Sequence, residues 1–170
     1  HRVDRRQRQM CIRDSSTTSV VTNNKGYIIE SQDVIYVSLR MNAGGFAQAG
    51  ALVSKGDNAL GKIFRIGTYD NQGVSNQNTQ TNYLNFFSVM ATEDETTINL
   101  TSNNTTGLVI QNYSSQFPIQ NITLNRGESY TVALKITDAI PENRDGLIGA
   151  LVSADKNVVV NTGSANGSFG

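Results

Sequence analysis

The sequence predicts an all-β domain, mainly antiparallel, arranged as a β-sandwich of about ten short strands. Three observations predict it. β-branched and aromatic residues recur in short runs separated by clusters of Gly, Asn, Asp and Ser. One run alternates cleanly: Tyr130, Val132, Leu134 and Ile136 share one face, against Thr131, Ala133 and Lys135 on the other. Helix-forming runs are scarce, and no apolar run in the 170 residues approaches the roughly 20 that a membrane helix needs. A fragment of a propeller-like or tandem β-repeat array is the alternative architecture.

Taken in order, residues 16–25 form a polar lead-in. GYIIE and VIYVSLR then read as a first hairpin around Ser31-Gln32-Asp33. Met41–Gly50 is rich in Gly and Ala and reads as a loop anchored by Phe46. A short strand near Ala51–Ser54, a Gly56-Asp57 turn and a strand at Lys62–Thr68 follow. Asp70–Thr81, with Val74 as its one apolar residue, reads as an exposed loop.

The centre of the pattern is Asn82–Thr101, NYLNFFSVMATEDETTINLT, which reads as a long hairpin. Its first arm is apolar on both faces, as in a buried central strand, and Glu93-Asp94-Glu95 forms the solvated tip. Gly107–Gln111 reads as a short strand and Ser114–Pro118 as a loop. NITLNRGESYTVALKI reads as two strands around Asn125-Arg126-Gly127-Glu128. Asp138–Gly146 is the most turn-like segment, and LIGALVS with NVVVNTGS reads as a last hairpin.

That last hairpin matches the first at an offset of 123 residues: Gly26 meets Gly149, and Ile35, Tyr36 and Val37 meet Val158, Val159 and Val160. On this reading residues 26–170 are one incomplete domain, truncated at its C-terminus, with a second repeat opening at Gly149.

Composition narrows the function. His1–Ser15 holds five of the arginines, the only His and the only Cys. RQRQMCIRDS resembles translated sequencing-adapter sequence of the kind found in metagenomic assemblies, so this segment is read as non-native. Without its five arginines and two aspartates, the 14 basic and 14 acidic residues become 9 and 12, a net of −3. The basic footprint of a nucleic-acid binder is gone. Ser16–Gly170 then has no His or Cys, which removes Ser-His and Cys-His catalysis, disulfides and the usual zinc ligand sets.

VMATEDETT at Val89–Thr97, ITLNRGESYTV at Ile122–Val132 and DGLIGALVSADKNVVVNTGS at Asp145–Ser164 resemble the N-terminal domain of IgG-Fc-binding protein. They look most like the version in very large secreted Bacteroidota proteins, which often end in a gliding-motility-associated or type nine secretion sorting domain. The resemblance spans roughly Gly26–Gly170 and implies an extracellular or cell-surface module within a larger parent chain. The function it implies is non-catalytic adhesion or ligand binding, with a glycan or glycoprotein of a host or self surface as partner and neighbouring domains of the same chain on either side. Membrane insertion is not expected. A structural spacer is the second reading and a carbohydrate-active enzyme a distant third.

Among candidate site residues, Glu93, Asp94 and Glu95 lie on a tip where neighbours point to different sides, which suits a solvated turn better than an ion site or a carboxylate pair. Asp138, Glu142 and Asp145, with Asn143, sit in a loop that can wrap an ion, so calcium is the one cofactor considered. The alternative there is an ordinary turn, which uses the same residue types. Exposed aromatics on one sheet face are the best candidates for gripping sugar or protein.

Overall fold

The computed structural model describes residues 18–23, 27–43, 48–53, 56–68, 84–103 and 106–165. The expectations for His1–Ser15, for Phe46 and for the Asp70–Thr81 loop lie outside them. Nine strands occur among the described residues: β1 Val21–Thr22, β2 Ser38–Ala43, β3 Gln48–Val53, β4 Gly61–Arg65, β5 Leu84–Ala91, β6 Thr96–Thr101, β7 Ile119–Leu124, β8 Ser129–Lys135 and β9 Leu151–Ala165. All pairings are antiparallel, and the fold is all-β.

The expected central hairpin is not a hairpin. β5 and β6 do not pair with each other; both pair with β9, Val89 opposite Val160 and Leu100 opposite Val152. Val158 is also opposite Gly61 and Val152 opposite Phe64, so β4 occupies one edge of β9 and β5 and β6 share the other, end to end. The same holds one strand further out. β8 pairs with β5 and β7 with β6, although Asn125–Glu128 joins β7 to β8. The expected last hairpin is likewise one strand of 15 residues, passing through Asp155-Lys156-Asn157 without reversing.

Three long strands, residues 84–101, 119–135 and 151–165, therefore run side by side, and each turns a corner at its polar middle. Bends of this kind let one sheet fold over itself and supply both layers around a core. Apart from β2 and β3, the strands thus belong to one antiparallel sheet, where the sequence predicts a two-sheet sandwich. A separate ribbon of β2 and β3 pairs Ser38 with Val53 through Ala43 with Gln48. Part of the Gly- and Ala-rich stretch read as a loop is thus strand, because a backbone ladder does not depend on side-chain size.

The core fills the fold of the sheet. Phe87, Val89 and Ala91 of β5, Ile98 and Leu100 of β6, Tyr130, Val132 and Leu134 of β8 and Val152 and Val158 of β9 are all buried in it. Full burial of each large apolar side chain contributes about 1.5–3 kcal/mol relative to exposure. The alternation expected in β8 is present in part: Tyr130, Val132, Leu134 and Ile136 are buried and Thr131 and Lys135 half-buried, but Ala133, on the face expected to point outward, is fully buried. Leu108, Ile110, Phe117 and Leu147, from the segments between strands, complete the core.

The segment expected as a strand at Gly107–Gln111 contributes only an isolated bridge, Ile110 to Leu134. Residues 27–37, expected as most of the first hairpin, form no strand, whereas the segment matched to them at the offset of 123 lies largely in β9.

Candidate functional site

The three corners meet on one surface, and hydrogen bonds between them explain why. In the first corner the Thr96 hydroxyl donates to the Glu93 carbonyl at 2.8 Å, and Glu95 takes a positive φ of 54°. In the second, the Asn125 N–H donates to the Glu128 carboxylate at 2.7 Å, and Gly127 has φ 82°, a conformation that glycine adopts without a Cβ penalty. The first two corners are stitched together: the Ala91 N–H reaches the Glu128 carbonyl at 3.0 Å, and the Gly127 N–H reaches the Ala91 carbonyl at 2.9 Å. Asp94 adds a carboxylate oxygen that accepts the Arg126 N–H at 3.0 Å.

The third corner closes against the first. The Thr97 N–H donates to the Asp155 carboxylate at 2.8 Å, the Thr92 hydroxyl to the Asn157 carbonyl at 2.7 Å, and Lys156 Nζ to the Asp94 carbonyl at 2.5 Å. A fourth segment lies over the second corner, where Glu30 is paired with Arg126. Ile28 Cδ1 sits 3.6 Å from where a Cβ on Gly127 would stand. Ile28, Glu30, Asp94 and Arg126 line an open recess of about 430 Å³.

Glu30 pairs with Arg126, Asp94, Glu128, Asp155 and Lys156 belong to the hydrogen bonds that hold the corners, and Glu93 and Glu95 flank Asp94 in the chain. Asp94, Glu128 and Asp155 are engaged by backbone N–H groups, which fixes their oxygens in place. Such an arrangement offers fixed acceptors beside two cations, the equipment for hydrogen-bonding a polar ligand. Tyr27 and Tyr36, 57% and 77% exposed, belong to the segment that crosses the second corner. Other aromatic side chains are less available: Phe64 and Phe86 are half-buried and Phe87 is in the core.

The second candidate group does not assemble as a ligand set. Asp138 is held by Arg144 at 2.6 Å, while Glu142 and Asp145 are exposed in the same turn. Among the described residues no three His, Cys, Asp or Glu side chains are grouped to hold a metal ion. The turn is built instead on Asn143, which is fully buried. The sequence groups Asn143 with the carboxylates of a possible ion-wrapping loop and carries no sign that its side chain ties three segments together. Nor does the sequence mark Arg126, Lys156 and Asp155 as site residues, because the stretches that hold them have the composition of turns in separate hairpins.

No helix among the described residues is long and apolar enough to cross a membrane. No curated protein matches the chain, and no solved structure matches it. The sequence model of the family described as IgGFc binding protein matches residues 49–169, from β3 through all three corners to the end of β9, and the chain belongs to that family.

Proposed function

We propose that this domain is a non-catalytic extracellular binding module of a large bacterial secreted or cell-surface protein, and that the three-corner surface holds its ligand. Membership of the family carries the binding reading. The corners supply the means: fixed carboxylate and carbonyl acceptors, the donors Arg126 and Lys156, and two displayed tyrosine rings, a mixture suited to the hydroxyls and ring faces of a glycan or glycoprotein. Catalysis has little to work with, since residues 16–170 contain neither His nor Cys. Single-site affinity at so open a recess is expected to be weak and raised by repetition along a parent chain.

The test is binding of the full chain to a glycan array, to immobilised mucin and to immunoglobulin G, each with and without calcium, beside an assay for released reducing ends. Binding that Arg126→Glu with Lys156→Glu abolishes at unchanged melting temperature supports the proposal. Silence on every arm turns the reading to a structural spacer. Sugar release lost on changing Asp138, Glu142 or Asp145 to Ala overturns it in favour of an enzyme, and calcium-dependent binding lost with the same changes assigns the ion to that turn.

A further inference from the structure

Two of the four residues that line the recess, Asp94 and Arg126, stand on corners, and the other two, Ile28 and Glu30, stand on a segment that belongs to no strand. The two walls are held differently. The Asp94 carboxylate accepts the Arg126 N–H at 3.0 Å and the Asp94 carbonyl accepts the Lys156 ammonium at 2.5 Å, in corners already stitched together through Ala91. Residues 27–30 have no backbone hydrogen bond to a strand among the described residues. They are fastened to the second corner by the Glu30 pair with Arg126, beside the approach of Ile28 to Gly127. That pair is open to solvent, with 49% of the Arg126 side chain and 75% of the Glu30 side chain exposed, and exposed ion pairs are weak and screened by salt. One wall of the recess is thus fixed, and the other hangs on a contact that opens readily.

Arg126 is the one cation among the lining residues, and Glu30 occupies it. The Glu30 carboxylate is the only side-chain partner of the Arg126 guanidinium among the described residues. With the segment in place the lining carries two carboxylates against one guanidinium, so an arriving anion meets no free cation. Taking Glu30 off Arg126 balances the two charges that remain and bares a planar set of donors, whose best-matched partner is another carboxylate. A neutral sugar hydroxyl bonds there more weakly than the carboxylate it would have to displace. We propose that residues 27–30 are a strap over the recess and that Glu30 holds the place of an acidic group of the ligand: the carboxylate of an acidic sugar, of the uronic or sialic kind, takes over Arg126, and the strap lifts. The exchange is one carboxylate for another, so it leaves the charge at Arg126 as it was. The proposal rests on the corner surface being a glycan site, and it makes that site selective for acidic over neutral chains.

The test is titration of the isotopically labelled full chain, parent and Glu30→Ala, with a galacturonate oligomer and with its neutral methyl ester at equal ionic strength. The acidic oligomer is expected to carry the amide resonances of residues 27–30 in the parent toward their positions in Glu30→Ala. It is also expected to bind Glu30→Ala about two- to fivefold more tightly than the parent, the gain that release of a weak ion pair allows. The methyl ester does neither. Equal or weaker binding of the acidic oligomer by Glu30→Ala overturns the proposal, since Glu30 then does not compete for Arg126. So does saturation of the parent with the resonances of residues 27–30 unmoved. The ester bound as well as the acid overturns the selectivity and leaves the glycan site in place. Silence of both chains on both oligomers also overturns the proposal, and binding on the glycan array then shows whether the corner surface still takes another sugar.

Discussion

Asn143 Nδ2 donates to the carbonyl of Lys135 at 2.9 Å, joining the end of β8 to the turn that leads into β9. The same nitrogen reaches the Val109 carbonyl at 3.1 Å, and Asn143 Oδ1 accepts the Val109 N–H at 2.9 Å. A fully buried side chain thus satisfies backbone groups of two other segments. Removing it leaves those part-buried groups without their partners, and each such loss costs about 1–3 kcal/mol. Asn143→Ala is expected to destabilise the domain by about 3 kcal/mol in urea melts, well beyond the fraction of a kcal/mol expected for Asn125→Ala on the exposed corner.

Phe86 and Gly163 face each other across β5 and β9 on the outer side of the sheet. A Cβ at Gly163 would lie 2.6 Å from Phe86 Cζ, so the ring occupies the space the glycine leaves open. Gly163→Ala should cost about 1–2 kcal/mol by displacing the ring. In a Phe86→Leu background the same change should cost less, and a double-mutant cycle of denaturant melts reads the difference.

Burial raises the pKa of Tyr130 above 10.0, with neighbouring Tyr113 adding to the shift and a hydrogen bond with Ser19 opposing it. The neutral phenol is therefore favoured in the folded state. Its contribution is fully present below the unfolded pKa near 10 and is lost as pH rises through the higher folded value. Melting temperature should fall above about pH 10, and Tyr130→Phe should flatten that part of the profile.

Some of this was readable in the sequence and some was not, for physical reasons. The inward face from Tyr130 to Ile136 was legible because its four residues are large, apolar and buried, whereas the burial of Ala133 on the opposite face was not, because a side chain that small marks neither face; the two-faced apolarity of β5 was legible because Phe86 packs over a glycine on the outside while Phe87 enters the core. The corners were not legible. A reversal and a bend call for the same residues, with positive φ at Glu95 and Gly127 serving either, and only pairing with β9 decides between them. Asp155-Lys156-Asn157 interrupts an apolar run as a turn would, yet its side chains and carbonyls hold the neighbouring corner. The site was hidden for the same reason, since three polar stretches far apart in sequence converge only when none of them is a hairpin tip.

Gly127 carries the second corner with φ 82°. Gly127→Val introduces a β-branched residue into a left-handed conformation and should cost about 1–3 kcal/mol. Because Ile28 lies over this position, the same change should also shift the backbone amide resonances of residues 27–30, which a heteronuclear correlation spectrum reads directly.

The central claim is that Glu93–Glu95 and Asn125–Glu128 are corners of strands that continue, which is what brings their charges to one surface. Backbone cross-strand NOEs in isotopically labelled protein test it most directly. Contacts are expected between Val89 and Val160 and between Leu100 and Val152, with none between the backbones of Val89 and Ile98. A ladder of contacts joining residues 84–91 directly to residues 96–101 would contradict it, restoring a hairpin and dispersing the proposed binding surface.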